Sequence, residues 1–184
     1  MTFPLVGEHL ALDLLNTRTA QGDLVDGPAG LAAWLAEQAG RLSVVDGVGE
    51  GEVAAVRAVR EAARPALDAV RRGERPPAEA LRVLNAALAA APSHRVLAWS
   101  EGAGLGAAVR RPADPAGRLA AELADAVAEL LTDPRVGQVR ECEAHDCVLL
   151  FLPAHPRRRW CVAGVCGNRA RVARYYARHK DETV

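Results

Sequence analysis

Lysine occurs once among the 184 residues, at Lys180, so positive charge rests almost wholly on arginine. Aromatic side chains make up only 4% of the chain, which leaves any core to alanine, valine and leucine. No uninterrupted apolar run approaches the ~20 residues that a membrane helix needs, so no span is expected. The first twenty residues lack a basic start, and Glu8, Asp13 and Arg18 break their apolar run, so no secretory leader is expected either. Cysteine is missing from the first 141 residues and then occurs four times in the last 43. A cytoplasmic location follows as the expectation, and thiols there stay reduced. Four clustered thiols are then better read as metal ligands than as two disulfides.

What is present is the balance of a globular protein, half hydrophobic and a quarter charged. The formal net charge is zero but unevenly spread. From Pro134 to Val184 there are ten basic and five acidic residues, against 13 and 18 in the rest. An acidic body with a basic tail predicts either an anionic partner for the tail or a tail docked on the body.

Most of the body has helical periodicity. Leu10 and Leu14 share one face of a first segment, and His9, Asp13 and Asn16 share another. Leu31, Trp34 and Leu35 mark a second helix that ends near Gly40. A longer helix begins near Gly51, with Val56, Val59, Ala63, Leu67 and Val70 inward and Arg57, Arg60, Arg64 and Arg71 outward. Gly73 stops it, Pro76 and Pro77 restart the chain, and Leu81, Leu84 and Leu88 form the next stripe. Arg95–Trp99 and Leu105–Val109 flank a glycine-bearing loop and predict a β-hairpin. After Pro115, Leu119, Leu123, Val127 and Leu130 recur at helical spacing, with Glu122, Asp125 and Glu129 expected in solvent. Asp133-Pro134 ends that helix and marks a boundary between residues 1–134 and 135–184.

The four cysteines, Cys142, Cys147, Cys161 and Cys166, form two C-x4-C pairs separated by thirteen residues. Two close pairs joined by a short hairpin are what one tetrahedral zinc site requires, each pair supplying two thiolates from a turn. The expected hairpin has Val148–Leu152 as one strand, Pro153–Pro156 as its turn and Arg157–Trp160 as the return. His145, lying between the first two cysteines, is an alternative ligand, and a redox pair is the other reading. Four thiolates leave no position for water, so one structural Zn2+ rather than a catalytic ion is expected. Replacing Cys161 is expected to unfold the chain beyond about Arg140 and to spare the body. Gly167 is expected to turn left-handed and Asn168 to cap a following helix. On that helix Arg171, Arg174 and Arg178 share a face, joined by Arg169 at its start, and Tyr175 is a stacking candidate. The basic face suits phosphates; the alternative is arginines solvated or paired with the body. Knuckle, hairpin and helix together resemble a treble-clef finger.

Trp160-Cys161-Val162-Ala163-Gly164-Val165-Cys166-Gly167-Asn168-Arg169 resembles the signature of the CGNR zinc finger family, with Cys142 and Cys147 where that family has its other two zinc ligands. Arg158-Arg159, Ala170-Arg171 and Phe151 resemble it too. Gly7, Leu10 to Thr17 and Leu31 to Leu35 resemble the companion ABATE domain. The resemblance implies a stress-related transcription regulator with a DNA-binding zinc module. Pro153-Ala154-His155-Pro156 departs from the family, which has an aspartate- and serine-containing turn there.

His9, Asp13 and Asn16, with Trp34 as an apolar wall and Trp99 as a second, are the candidates for a small-molecule site in the body. The competing reading has Asp13 and Asn16 satisfying backbone groups inside the fold. No serine or cysteine nucleophile accompanies the His-Asp pair, so an enzyme is the weakest expectation. The sequence therefore predicts an α+β, two-domain protein: a mainly α N-terminal domain with a small β-hairpin and a small C-terminal zinc finger. The functional expectation is a DNA-binding regulator with a sensing domain. Its alternative is a zinc-stapled module for protein or RNA, and a homodimer is left open.

Overall fold

The computed structural model describes residues 3–43, 45 and 47–180, and for residues 177, 178 and 180 it describes the backbone alone. The elements run α1 (Leu10–Leu15), β1 (Arg18–Thr19), β2 (Gly22–Asp23), α2 (Pro28–Glu37), α3 (Glu50–Arg71), α4 (Ala78–Ala90), β3 (His94–Ser100), β4 (Gly104–Arg110), α5 (Pro115–Thr132), β5 (Arg140–Glu141), β6 (Leu150–Phe151) and α6 (Asn168–Lys180). Each sheet is an antiparallel pair: β1 with β2, β3 with β4 and β5 with β6.

The body is built by α3, α4 and α5 packed on one another, with α1 laid against α3 and α5. α3 starts where the Glu52 carboxylate accepts from the Gly49 N–H at 2.8 Å, and it ends at Gly73, whose φ of 71° only glycine adopts freely. Pro65 lies inside this helix on its exposed side. It removes one backbone donor there without interrupting the inward row. α5 starts at Asp114, which accepts from the Gly117 N–H at 2.8 Å, with Pro115 in the first turn. Its Leu119, Leu123, Val127 and Leu130 are buried together with alanines at 120, 121, 124 and 126. Small residues between the leucines let the helices approach closely enough to exclude water.

Several expected surface groups turn out to be joints. Arg60, expected outward, is buried, and its guanidinium bonds Asp23 at 2.7 and 2.5 Å and Thr17 Oγ1 at 2.8 Å. A buried guanidinium is tolerable because its donors are met. Glu122 accepts from the backbone N–H of Ser43 at 2.9 Å, and Asp125 pairs with Arg111, so neither is merely solvated. Trp99, expected to wall a pocket, is 74% exposed on the hairpin. Burial pushes the Asp23 carboxyl up, but hydrogen bonds from Arg60 and the Val25 N–H outweigh it and hold the group below its ordinary value. A carboxyl lowered in the folded state stabilises above its unfolded pKa, and that stability is lost as pH falls through the folded value. Asp23→Asn is therefore expected to lower stability at neutral pH and to flatten the acid limb of an unfolding titration.

Candidate metal centre and basic helix

The C-terminal unit begins on β5, whose Arg140 and Glu141 pair with Phe151 and Leu150 of β6. This corrects the expected hairpin: residues 148–152 pair backward with the strand before the first cysteine pair, not forward with 157–160. The returning segment adds one backbone bond, from the Glu143 N–H to the Arg159 carbonyl at 3.0 Å, together with Arg140 donating to Pro156 O at 2.9 Å and Arg159 pairing with Glu143. Adjacent side chains of a strand point to opposite faces, and β6 uses both. Leu150 is buried in the main helical core, while Phe151 is buried in a second cluster beneath the cysteines.

The cysteines converge from two turns. Cys142 follows β5 and donates its N–H to Leu149 O at 2.9 Å. Asp146, at φ 58°, supplies the left-handed residue that brings Cys147 round to it; aspartate is one of the few side chains that tolerates this. Cys161 donates its N–H to Cys142 Sγ at 3.3 Å, and Cys166 donates its own to Val162 O at 2.9 Å. All four Sγ atoms lie within 4.8 Å of one another, and none is in a disulfide. Three separations are 3.8, 3.5 and 3.9 Å, for Cys147–Cys161, Cys161–Cys166 and Cys166–Cys147. A tetrahedron with zinc–sulfur bonds of ~2.3 Å has edges of about 3.8 Å. The donor set therefore fits one zinc ion. His145 carries no part of this cluster; its exposed ring faces the Asp146 carboxylate at 2.5 Å.

Crowding has an electrostatic cost that a dication relieves. Burial and the neighbouring Cys142 push the Cys147 thiol up to about 11. Burial, with Cys166 and Cys142 close by, pushes Cys161 higher still. Burial also raises Cys142, but the N–H groups of Cys161 and Ala144 outweigh it and bring that thiol down. Four thiolates cannot coexist here without a cation among them. Bound zinc would be held by these four residues and would supply folding free energy rather than reactivity.

Around the cysteines lies a clamp built from residues far apart in sequence. Arg158 stacks over the Phe151 ring at 4.4 Å, donates to Cys161 O at 2.7 Å and Trp160 O at 3.2 Å, and pairs with Glu8 at 2.6 Å. Glu8 also accepts from the Leu152 N–H at 3.2 Å. The two arginines before Trp160 were visible as a motif; the Glu8 partner, 150 residues earlier, carried no local signal.

The polar cluster of α1 serves the same joint. Asn16 donates from Nδ2 to Leu150 O at 2.8 Å and accepts the Leu150 N–H at 2.7 Å, so its amide continues the sheet edge. Asp13 accepts from the N–H groups of Gly7 and Glu8 at 3.0 and 3.1 Å and pairs with Arg41 at 2.5 Å. His9 caps α1, its Nδ1 accepting from the Ala11 N–H at 3.3 Å, and Trp34 is buried in the core. The polar atoms of Asp13 and Asn16 are thus engaged inside the chain, as the competing reading expects.

Around Cys166 the backbone forms a π-helical turn, residues 163–167, running straight into α6. Gly167 has no positive φ, contrary to expectation, and the Trp160 indole faces it at 3.4 Å from where a Cβ would stand. Asn168 is itself helical; its amide donates back to Gly164 O at 2.8 Å and accepts from Arg171 at 2.8 Å, instead of capping the first turn. Arg169 reaches Cys166 Sγ at 3.7 Å, beside the metal ligands. Arg171, Arg174, Val172, Tyr175 and Tyr176 are all exposed, and Tyr175 stacks on His179 at 4.1 Å between ring centres. The side chain of Arg178 lies outside the described residues.

No described helix is long and apolar enough to cross a membrane. Residues 8–134 match the model of the ABATE family, described as "Putative stress-induced transcription regulator", and residues 138–179 match that of the CGNR zinc finger. No curated protein matches the chain. With a family match over most of its length and a second over its cysteine module, the chain belongs to the ABATE family and ends in a CGNR zinc finger.

Proposed function

We propose that this protein is a DNA-binding transcription regulator in which zinc holds α6 out for contact with duplex phosphates. The observation that supports this most directly is the state of the arginines. Many arginines of the body are matched with carboxylates, among them Arg41 with Asp13, Arg60 with Asp23, Arg64 with Glu141 and Arg111 with Asp125, while Arg95 and Arg110 of the hairpin have none among the described residues. On α6, Arg171 and Arg174 are exposed and meet only Asn168 and a helix carbonyl, with no carboxylate among the described residues. Residues 168–180 contain four arginines and a lysine and no acidic residue. A helix of that charge, packed among the described residues chiefly on its own zinc turn, is suited to a polyanion.

Arg169 has a different part. Its guanidinium lies on Cys166 Sγ and offsets the negative charge that four thiolates leave on a zinc site, so it positions the helix. Changing Arg171, Arg174 and Arg178 to alanine is expected to weaken duplex binding across all sequences. The slope of log affinity against log salt should flatten by about 0.9 per arginine removed. Fluorescence anisotropy on genomic and random duplexes measures both; no binding of the unaltered, zinc-loaded protein to either duplex at low salt would end the proposal. No sensing role is placed on His9, Asp13, Asn16 or Trp34.

A further inference from the structure

The β3–β4 hairpin is unlike the rest of the molecule. Every residue of both strands except Gly104 is exposed, and the ribbon approaches the helical body at its root, where Val109 lines a cavity with Leu10, Glu122 and Asp125. A two-stranded ribbon with both faces in water is marginally stable by itself. Its root is nevertheless fixed: Arg111 donates to Ala91 O at 2.6 Å and pairs with Asp125 on α5.

The two faces differ in character. The register sets Arg95 opposite Val109, Leu97 opposite Ala107 and Trp99 opposite Leu105, and these six share one side. On it Leu97 is 67% exposed, Trp99 74%, Leu105 66% and Val109 62%. Large apolar residues concentrated on one side of an uncovered ribbon mark an interaction surface rather than scattered exposure. The charges are placed at its two ends: Arg95 at the root and Glu101 in the tip turn, neither with an ion-pair partner among the described residues.

We infer that this face is a homodimer interface, in which two hairpins stack antiparallel about a two-fold axis. The pattern is complementary to itself. Laying Glu101 of each copy over Arg95 of the other brings Trp99 of each over Leu97 and Ala107 of the other. One register thus satisfies the charges and the shapes together, as a two-fold contact requires. The small Ala107 leaves room for the incoming indole. Four large side chains so exposed offer on the order of 500 Å² per copy, given ~150–250 Å² for an aromatic. Two copies then bury about 1,000 Å², the size at which a specific protein interface begins. The inference stands on the hairpin alone and does not require that α6 bind DNA.

Sedimentation velocity on the zinc-loaded full chain tests it, from nanomolar to high micromolar concentration. A reversible shift from the 19.5 kDa chain to twice that mass is expected. Trp99→Asp should weaken the dimer at least tenfold with zinc content and helical circular dichroism unchanged. Glu101→Arg should weaken it as well, and adding Arg95→Glu to that variant should restore it, which separates an interface from a hairpin that has merely unfolded. A chain that stays monomeric throughout, a dimer indifferent to Trp99→Asp, or a charge exchange without rescue would overturn the inference.

Discussion

Stripping zinc from this protein, or replacing Cys161 with serine, is expected to unfold the finger and also to lower the melting temperature of the helical body. Structural zinc contributes roughly 10–16 kcal/mol to small modules, as much as the ~5–15 kcal/mol stability of a whole domain. The Cys161 thiol stands 3.8 and 3.5 Å from those of Cys147 and Cys166, so its loss removes one of the four ligands from the centre of the cluster, while the backbone N–H to Cys142 Sγ is kept. A hydroxyl is also a harder donor than the thiolate zinc favours. Sequence alone predicts that the body would be spared. The structure predicts otherwise, because Val139 and Leu150 are part of the main core and Asn16 is bonded to the finger's strand. Calorimetry before and after chelation reads the difference: a lowered body transition supports the joint, and an unchanged one would mean the two units are energetically separate.

Asn16→Ala is the second large effect. The two hydrogen bonds to Leu150 are buried and span 134 positions of sequence. Deleting the amide leaves a buried N–H and a buried carbonyl, at about 1–3 kcal/mol each. A loss of roughly 2–6 kcal/mol is therefore expected in urea unfolding, with zinc stoichiometry of one per chain. An equal loss from a neutral surface substitution would remove the special standing of this contact.

The reasons some features were legible and others hidden are physical. Four cysteines in a reduced chain have few uses, so their spacing alone points to one metal site. Long helices announced themselves because α3 and α5 repeat their apolar residues over many turns. β5 and β6 have two residues each, too few for any alternation to show, so local patterning does not reveal their pairing. Arg60 was placed outward by residue type, although it stands four after Val56 and three before Ala63, on the inward row. Its partners Asp23 and Thr17 lie in a different part of the chain, and only the fold brings them together. Asn16 looked like a ligand contact for the same reason: its partner is a backbone segment that local patterning cannot reveal.

Zinc is proposed to order α6 for a polyanion, and one titration addresses that link directly. Duplex DNA is titrated with zinc-loaded protein, with the same protein after chelation, and again after zinc is restored. Binding that weakens with salt, is lost on chelation and returns with zinc is the predicted result. Equal duplex affinity with and without the metal would contradict it.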